Sequence, residues 1–194
     1  MVPKPVYIDN LELIRRHKLV PGDIVECGVW RGGMMAGIAE LMGRNRIYHL
    51  FDSFEGLPPA KDIDGEAARD WQKNTESPGF YDNCKAEIEF AQAAMQKSKV
   101  RWANFHKGWF NKTLPGFKFE NGIAVLRMDA DWYDSTMDIL VNLFPQVNPN
   151  GLIILDDYYA WDGCAKALHD YLSDRKLAYR IAQYNNEVCY LIKK

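Results

Sequence analysis

Two stretches decide the fold of this chain: Ile123-Ala124-Val125-Leu126-Arg127-Met128-Asp129-Ala130-Asp131 and Leu152-Ile153-Ile154-Leu155-Asp156-Asp157. In each, a short apolar run typical of a strand buried on both faces ends abruptly in acidic residues. Adjacent strands lie ~4.8 Å apart, so two such strands would bring four carboxylates into one small volume. On an extended backbone, Asp129 and Asp131 would also face the same side. Because unpaired carboxylates repel, the cluster predicts a cation, a proton or a positively charged ligand.

Strand and helix patterns alternate along the rest of the chain. Strands are predicted at 23–27, 46–51, 99–107, 123–128 and 152–155, with a closing hairpin at 179–183 and 188–192. Helices are predicted at 9–18, 34–42, 83–97, 135–144 and 163–172, the first capped by Asp9 or Asn10. The alternation predicts an α/β fold of Rossmann-like type, with a mostly parallel seven-stranded sheet, helices on both faces and a C-terminal antiparallel hairpin. Ligands of such a sheet bind beyond the carboxyl ends of its strands.

Length and composition limit the classes of function. The 194 residues predict one domain, 1–194, with an N-terminal helical segment over 1–22 and a candidate lid over the irregular segment 53–82. A net charge of −2 gives no broad attraction to nucleic acid or to an anionic membrane. The sequence has no apolar run near the ~20 residues of a membrane span and no signal-peptide core. Its dispersed cysteines favour reduced thiols, which predicts a cytoplasmic protein.

A glycine-rich turn follows the first predicted strand. It reads Glu26-Cys27-Gly28-Val29-Trp30-Arg31-Gly32-Gly33 and leads into a helix, as in the first half of a nucleotide-binding βαβ unit. Glycines let the backbone approach a ligand, and an acidic lining suits the sulfonium and α-ammonium of S-adenosylmethionine better than a pyrophosphate. Asp52 ends the second strand, where an acid holds ribose hydroxyls. Gly108 and Trp109 end the third strand, where adenine would lie.

Each of these features also has a plain structural interpretation. The glycine turn alone fits an ordinary strand-to-helix connection, Asp52 could cap a helix, and Trp109 could pack in the core. The aspartates at the two acidic strand ends could cap the helices predicted at 135–144 and 163–172. Against this, three oxygen donors with open water positions suit Mg²⁺, Mn²⁺ or Ca²⁺.

Taken together, these residues resemble the TylF/macrocin O-methyltransferase family of class I, S-adenosylmethionine-dependent enzymes. The likeness lies in residues 20–33, in Phe51-Asp52-Ser53-Phe54-Glu55-Gly56-Leu57-Pro58, in Lys107-Gly108-Trp109-Phe110, in 126–136 and in Asp156-Asp157-Tyr158. It extends from about residue 20 to the C-terminus. The resemblance implies metal-dependent O-methylation, which known members perform on sugar hydroxyls of natural products, with S-adenosylhomocysteine as the second product.

The resemblance also implies residue roles. It places a divalent cation, Mg²⁺ or another, on Asp129, Asp156 and Asp157, with Asp131 as general base. Some members carry a histidine three residues after the first metal aspartate, but Trp132 stands there in this chain, which favours Asp131. With the turn, it predicts that the cofactor is bound by Glu26, Gly28, Trp30, Gly32, Gly33, Asp52, Ser53, Gly108, Trp109 and Asp129. Members commonly have a longer N-terminal region, so 53–82 would form the lid alone or with a neighbouring subunit of a homo-oligomer.

The sequence therefore predicts a metal-dependent O-methyltransferase acting on a sugar or another polyhydroxylated small molecule. One alternative is a DxD glycosyltransferase, in which Asp129 and Asp131 would hold a metal on a nucleotide diphosphate. The other is a non-catalytic module that binds adenosyl ligands. The glycine turn and Asp52 favour the methyl donor over the nucleotide diphosphate. A non-catalytic site would have no need for four mutually repelling aspartates.

Overall fold

A seven-stranded sheet flanked by helices forms the molecule in the computed structural model, which describes residues 2–194. The strands are β1 Asp23–Cys27, β2 Ile47–Asp52, β3 Trp102–Lys107, β4 Ile123–Met128, β5 Val147–Leu155, β6 Ala182–Tyr184 and β7 Val188–Ile192. The helices are α1 Lys4–Arg15, α2 Gly33–Met42, α3 Glu66–Lys73, α4 Ile88–Ser98, α5 Phe110–Thr113, α6 Tyr133–Leu143 and α7 Asp162–Asp174. Short 3₁₀ turns occupy Asp62–Asp64 and Phe144–Gln146.

The strand order is β3-β2-β1-β4-β5-β7-β6. β1 to β5 run parallel, and β7 is antiparallel to both β5 and β6. The predicted fold, a mostly parallel sheet closed by an antiparallel hairpin, is confirmed. The order reverses between β1 and β4, and in open α/β sheets the crevice at such a reversal is where ligands bind.

The core lies on both faces of the central strands. β1 and β4 are buried along their whole lengths, which explains why β4 is apolar except for Arg127. β1 also buries two carboxylates, Asp23 and Glu26. Successive residues of β5 face opposite sides, so Ile153 packs in one cluster with Leu168 of α7. Ile154 packs in the other cluster with Met35 of α2. Among the described residues, none of the helices has the length and apolar character that crossing a bilayer requires.

The N-terminal helix differs from the prediction. It begins at Lys4 and ends at Arg15, with Pro3 as its N-cap and a second proline in its first turn. Proline is tolerated there because the first N–H groups of a helix have no intrahelical partner. The predicted cap at Asp9 or Asn10 was therefore wrong. Asn10 is fully buried inside the helix, and its amide donates to the carbonyl oxygen of Val6 at 2.9 Å.

The helix predicted at 83–97 begins only at Ile88. Residues 81–84 instead have φ angles between 50° and 57°, the left-handed region. Asn83 holds this turn, since its side-chain amide donates to Leu57 O at 2.8 Å and its oxygen accepts from Gln72 Nε2 at 3.0 Å. Four successive non-glycine residues in this region are costly unless the surroundings hold them. Through Asn83, the end of the candidate lid is therefore bonded to its earlier residues Leu57 and Gln72.

Candidate active site

The predicted acidic residues lie together beyond the ends of β1, β4 and β5. Asp129 N donates to Cys27 O at 2.8 Å and Asp156 N donates to Met128 O at 2.9 Å, so the three strands end in register. Carboxylate oxygens of Asp129, Asp156 and Asp157 all lie within 4.8 Å of one another. The sheet therefore brings together the three residues that the resemblance implied as metal ligands.

The capping interpretation of these aspartates does not hold. The N-cap positions of α6 and α7 are occupied by Trp132 and Trp161. The first amide of α6, Tyr133 N, donates to Asp64 Oδ1 at 2.7 Å, a residue of the candidate lid. The aspartates at the acidic strand ends therefore do not cap these helices, and their clustering needs another explanation.

The guanidinium of Arg127 lies inside the acidic cluster. The register of β1 and β4 pairs Arg127 with Glu26, and Nη1 contacts Glu26 Oε1 at 2.9 Å and Asp129 Oδ2 at 3.0 Å. Nη2 lies 2.6 Å from Asp156 Oδ1. The side chains of Arg127 and Glu26 are each 1% exposed, so the contact between these two is made away from water. Each contact uses one oxygen of its carboxylate, and in residues 2–194 the second oxygen of Glu26 is buried without a hydrogen-bond partner.

The pKa values of the cluster indicate a shortage of positive charge. Burial raises the pKa of Glu26 to about 8, an effect that Arg127 offsets only in part. Burial also raises the pKa of Asp156, again against the effect of Arg127. The pKa of Asp157 lies well above its ordinary value because of burial and then the charge of Asp131. A cation among these carboxylates would favour their ionised forms.

Asp131 occupies a different position from that expected. Its φ is 55°, so it does not continue the strand, and the expectation that it shares an extended face with Asp129 was wrong. The chain turns sharply after β4, and Asp131 N donates to Asp157 Oδ2 at 2.9 Å. Its carboxylate is held by Trp161, whose indole Nε1 donates to Asp131 Oδ1 at 3.0 Å. Burial, followed by repulsion from Asp129, raises the pKa of Asp131 to about 7.

The glycine-rich turn is fixed by Asp52. Asp52 Oδ2 accepts from the backbone N–H groups of residues 29 and 30 at 2.6 and 2.8 Å, and Oδ1 accepts from Phe54 N at 2.7 Å. Gly28 has a φ of +84°, and a Cβ there would lie 1.6 Å from the carbonyl oxygen of Asp129. Only glycine permits this approach. The turn and the acidic cluster are therefore in direct contact.

Both groups open into one cavity of about 840 Å³. All the predicted site residues except Gly32 line it: Glu26, Gly28, Trp30, Gly33, Asp52, Ser53, Gly108, Trp109, Asp129, Asp131, Asp156 and Asp157. Gly32 has a φ of +76° and lies against the backbone of Ala91 in α4, so it shapes the turn rather than facing the cavity. Trp109 is 37% exposed and faces the cavity rather than packing in the core.

The sequence did not show which of its many aromatic residues line the cavity, and we call four of those that do the aromatic wall. The wall consists of Trp71, Tyr81, Tyr159 and Trp161. The excess of aromatic residues was visible in the composition, but no local pattern separates these side chains from those of the core. No role was predicted for Arg127 from the sequence either. A charged residue inside a buried strand, two positions before Asp129, could have indicated that it pairs with the carboxylates.

The candidate lid is anchored to the acidic strand ends. Trp132 Nε1 donates to Pro58 O at 2.9 Å. Asp64, only 3% exposed, accepts from Lys61 N through Oδ2 and from Tyr133 N through Oδ1, both at 2.7 Å. Asp64 therefore joins the lid to the first turn of α6.

We expect Asp64→Ala to lower the free energy of unfolding by roughly 2–3 kcal/mol, because two backbone N–H groups would lose their acceptor. Chemical denaturation would measure this loss, and hydrogen exchange would show faster exchange over 57–73. Asp62→Ala in the same 3₁₀ turn is the matched control, since the Asp62 side chain is 94% exposed and bonds only a surface arginine. Equal exchange in the two variants would contradict the anchoring role of Asp64.

Comparison with known proteins agrees with this arrangement. The family model described as macrocin-O-methyltransferase (TylF) matches residues 9–193. The chain belongs to the TylF family. The resemblance carried by the glycine turn, Asp52 and the acidic strand ends is thus confirmed. The match includes β1 to β7, and with them every predicted site residue.

Two characterised O-methyltransferases are similar to the chain. One is the 8-demethyl-8-(2,3-dimethoxy-alpha-L-rhamnosyl)-tetracenomycin-C 4'-O-methyltransferase of Streptomyces olivaceus, 38% identical over 173 residues that are 84% of this chain and 64% of that protein. The other is the mycinamicin III 3''-O-methyltransferase of Micromonospora griseorubida, 34% identical over 181 residues that are 88% of this chain and 68% of that protein. The chain thus spans about two thirds of the length of these relatives.

A solved structure shares the fold. The O-methyltransferase NovP superposes with a TM-score of 0.80 and 31% identity, covering 96% of this chain and 80% of NovP. This similarity confirms the predicted Rossmann-like fold of class I methyltransferases.

Proposed function

We propose that the chain is a metal-dependent O-methyltransferase that moves a methyl group from S-adenosylmethionine to a hydroxyl of a sugar or another polyhydroxylated small molecule. One observation supports this most strongly. The glycine turn and the acidic cluster touch at Gly28 and Asp129 and open into the same cavity. A methyl donor on the turn and a hydroxyl at the cluster would therefore be neighbours, as a direct transfer needs.

The cofactor half of the cavity offers specific partners. Asp52 accepts three backbone hydrogen bonds, which leaves about one of its four acceptor positions for a ribose hydroxyl. The unpartnered oxygen of Glu26 suits an α-ammonium group, which would supply the missing positive charge and hydrogen bond. Trp30 and Trp109 border the same half and suit the adenine ring. We propose the remaining lining residues, Gly28, Gly33, Ser53, Gly108 and Asp129, as cofactor contacts through close backbone approach.

The acidic cluster fits a divalent cation. Its donors are carboxylate oxygens, the ligands that Mg²⁺ and Ca²⁺ prefer, and Asp129, Asp156 and Asp157 each present one within 4.8 Å of the others. Arg127 engages one oxygen of Asp129 and one of Asp156, so each has a second oxygen to offer. We propose these three residues as the ligands. When bound, the cation would supply Lewis acidity that makes a nearby alcohol easier to deprotonate.

Asp131 is proposed as the general base. Transfer forms a carbon–oxygen bond and breaks a carbon–sulfur bond, so the proton of the acceptor hydroxyl must leave. Trp161 occupies Oδ1 of Asp131, and Oδ2 is the oxygen that would take this proton. Asp131 and Asp129 line the same cavity, so the proposed base and the proposed cation ligands would be neighbours.

The acceptor is proposed to be a small, sugar-like hydroxylated molecule. Its ring hydroxyls would meet the acidic cluster, and its C–H faces would meet the aromatic wall. The relatives' names support this choice, since one of them acts on a rhamnosyl-tetracenomycin and is named for its 4' oxygen. The cytoplasmic location, the single domain, the homo-oligomer and the absence of nucleic-acid and membrane partners stay predictions.

Calorimetric titration should separate the proposed function from its alternatives. We expect S-adenosylhomocysteine to bind, UDP not to bind with or without Mg²⁺, and methyl transfer to a panel of sugars and diols to stop when EDTA removes the cation. Mg²⁺-dependent binding of UDP would indicate the glycosyltransferase instead. Binding of S-adenosylhomocysteine without methyl transfer to any member of the panel would indicate the non-catalytic module.

A further inference from the structure

Three tryptophans from three different segments pack together at the edge of the cavity. Trp71 belongs to α3 in the candidate lid, Trp132 precedes α6 and Trp161 precedes α7. Their ring centroids are 6.2 Å apart for Trp71 and Trp132, 6.1 Å for Trp71 and Trp161, and 5.3 Å for Trp132 and Trp161. We call this cluster the tryptophan triad. Edge-on packing of this kind fixes ring orientation as well as burying area.

Each indole N–H of the triad has a different acceptor. Trp132 donates to Pro58 O at 2.9 Å and Trp71 donates to Gly79 O at 3.2 Å, both within the candidate lid. Trp161 instead donates to Asp131 Oδ1 at 3.0 Å. Two residues of the triad therefore bond the candidate lid, and the third bonds a carboxylate that lines the cavity.

Asp131 needs such a partner to keep its position. Its backbone is in the left-handed region, and the charge of Asp129 repels its carboxylate. A donor on one oxygen opposes that repulsion and leaves the other oxygen facing the cavity. Loss of the donor would let the side chain rotate away, and small displacements of a reacting group cost up to ~10²-fold in rate.

We propose that Trp161 is a positioning residue for Asp131, held in place by the tryptophan triad. This inference rests on the proposed function, because it assigns Asp131 a proton to accept. Trp161 takes no part in the bond changes. Its indole N–H selects the rotamer in which Asp131 Oδ2 is presented to the acceptor, and the lid contributes through Trp71.

Trp161→Phe tests the proposal, with Trp132→Phe as the matched control, because both changes remove one indole N–H from the same cluster. We expect Trp161→Phe to lower kcat by about 10- to 100-fold, with little change in the KM for the acceptor or the Kd for S-adenosylhomocysteine. Trp132→Phe should lower kcat much less. Equal losses of kcat in the two variants would overturn the positioning role and indicate a shared effect on the lid.

A second measurement does not depend on activity or on folding of the tryptophan variants. The six tryptophans give six indole N–H signals in a ¹⁵N spectrum of the full chain. We expect Asp131→Ala to shift the Trp161 indole signal and speed its exchange with solvent, while the signal of Trp102 in the edge strand β3 stays unchanged. An unchanged Trp161 signal would overturn the proposal. If the signal shifts in Asp131→Ala but the wild-type protein methylates no member of the acceptor panel, the proposed function is refuted while the Trp161–Asp131 contact stands.

Discussion

Asp131→Asn is expected to lower kcat by roughly 10²- to 10⁴-fold, the usual contribution of a general base. Asparagine has nearly the shape of aspartate, and its carbonyl oxygen can still accept from Trp161 Nε1, so the local structure should persist. Its amide nitrogen, however, cannot take a proton from an acceptor hydroxyl. S-adenosylhomocysteine should therefore bind with an unchanged Kd while methyl transfer nearly stops. Initial rates and calorimetry measure the two quantities separately.

Asp134→Asn is the matched control for this variant. Asp134 lies three residues further on, as the second residue of α6, but its side chain is 57% exposed and pairs with Lys61 on the surface. We expect wild-type kcat from this control, since an exposed ion pair contributes little. Full activity of Asp131→Asn would eliminate Asp131 as the base. A loss of S-adenosylhomocysteine binding in the same variant would mean that Asp131 supports the cofactor half of the cavity.

The acidic strand ends could be predicted from the sequence because their cause is local. A buried parallel strand must be almost wholly apolar, so the residue at which it ends is visible as the first carboxylate after the run. Asp129 and Asp156 follow β4 and β5 directly, and the sheet aligns those ends whatever the loops do. The same reasoning located Asp52 at the end of β2.

The contacts of Asp131 could not be predicted, because they depend on residues distant in the chain. Its indole partner Trp161 lies 30 positions away, and its left-handed φ follows from the turn after β4 rather than from its own preference. The left-handed turn at 81–84 is a similar case. This turn exists because Asn83 bonds both Leu57 and Gln72. No sequence pattern at any of these three residues predicts a contact with the other two.

Arg127→Met should destabilise the protein more than any other variant considered for this fold. Methionine keeps much of the buried volume but removes the charge that contacts Glu26, Asp129 and Asp156. Removing one partner of a buried ion pair typically costs about 3–5 kcal/mol, because the remaining charges stay buried without compensation. We expect a loss of this size in the free energy of unfolding, measured by urea denaturation in the presence of EDTA.

Added Mg²⁺ distinguishes loss of charge from loss of packing. If Asp129 and Asp156 bind a cation, Mg²⁺ should restore part of the lost stability, since a ligand that binds only the folded state shifts unfolding by mass action. Arg46→Met is the matched control: Arg46 donates to the carbonyl oxygens of Gly22 and Lys18 and should lose stability that Mg²⁺ does not restore. A variant of Arg127 that is as stable as the wild type in EDTA would mean that the carboxylates are neutral there. In that case the guanidinium of Arg127 would position the carboxylates of the cluster without stabilising the folded protein.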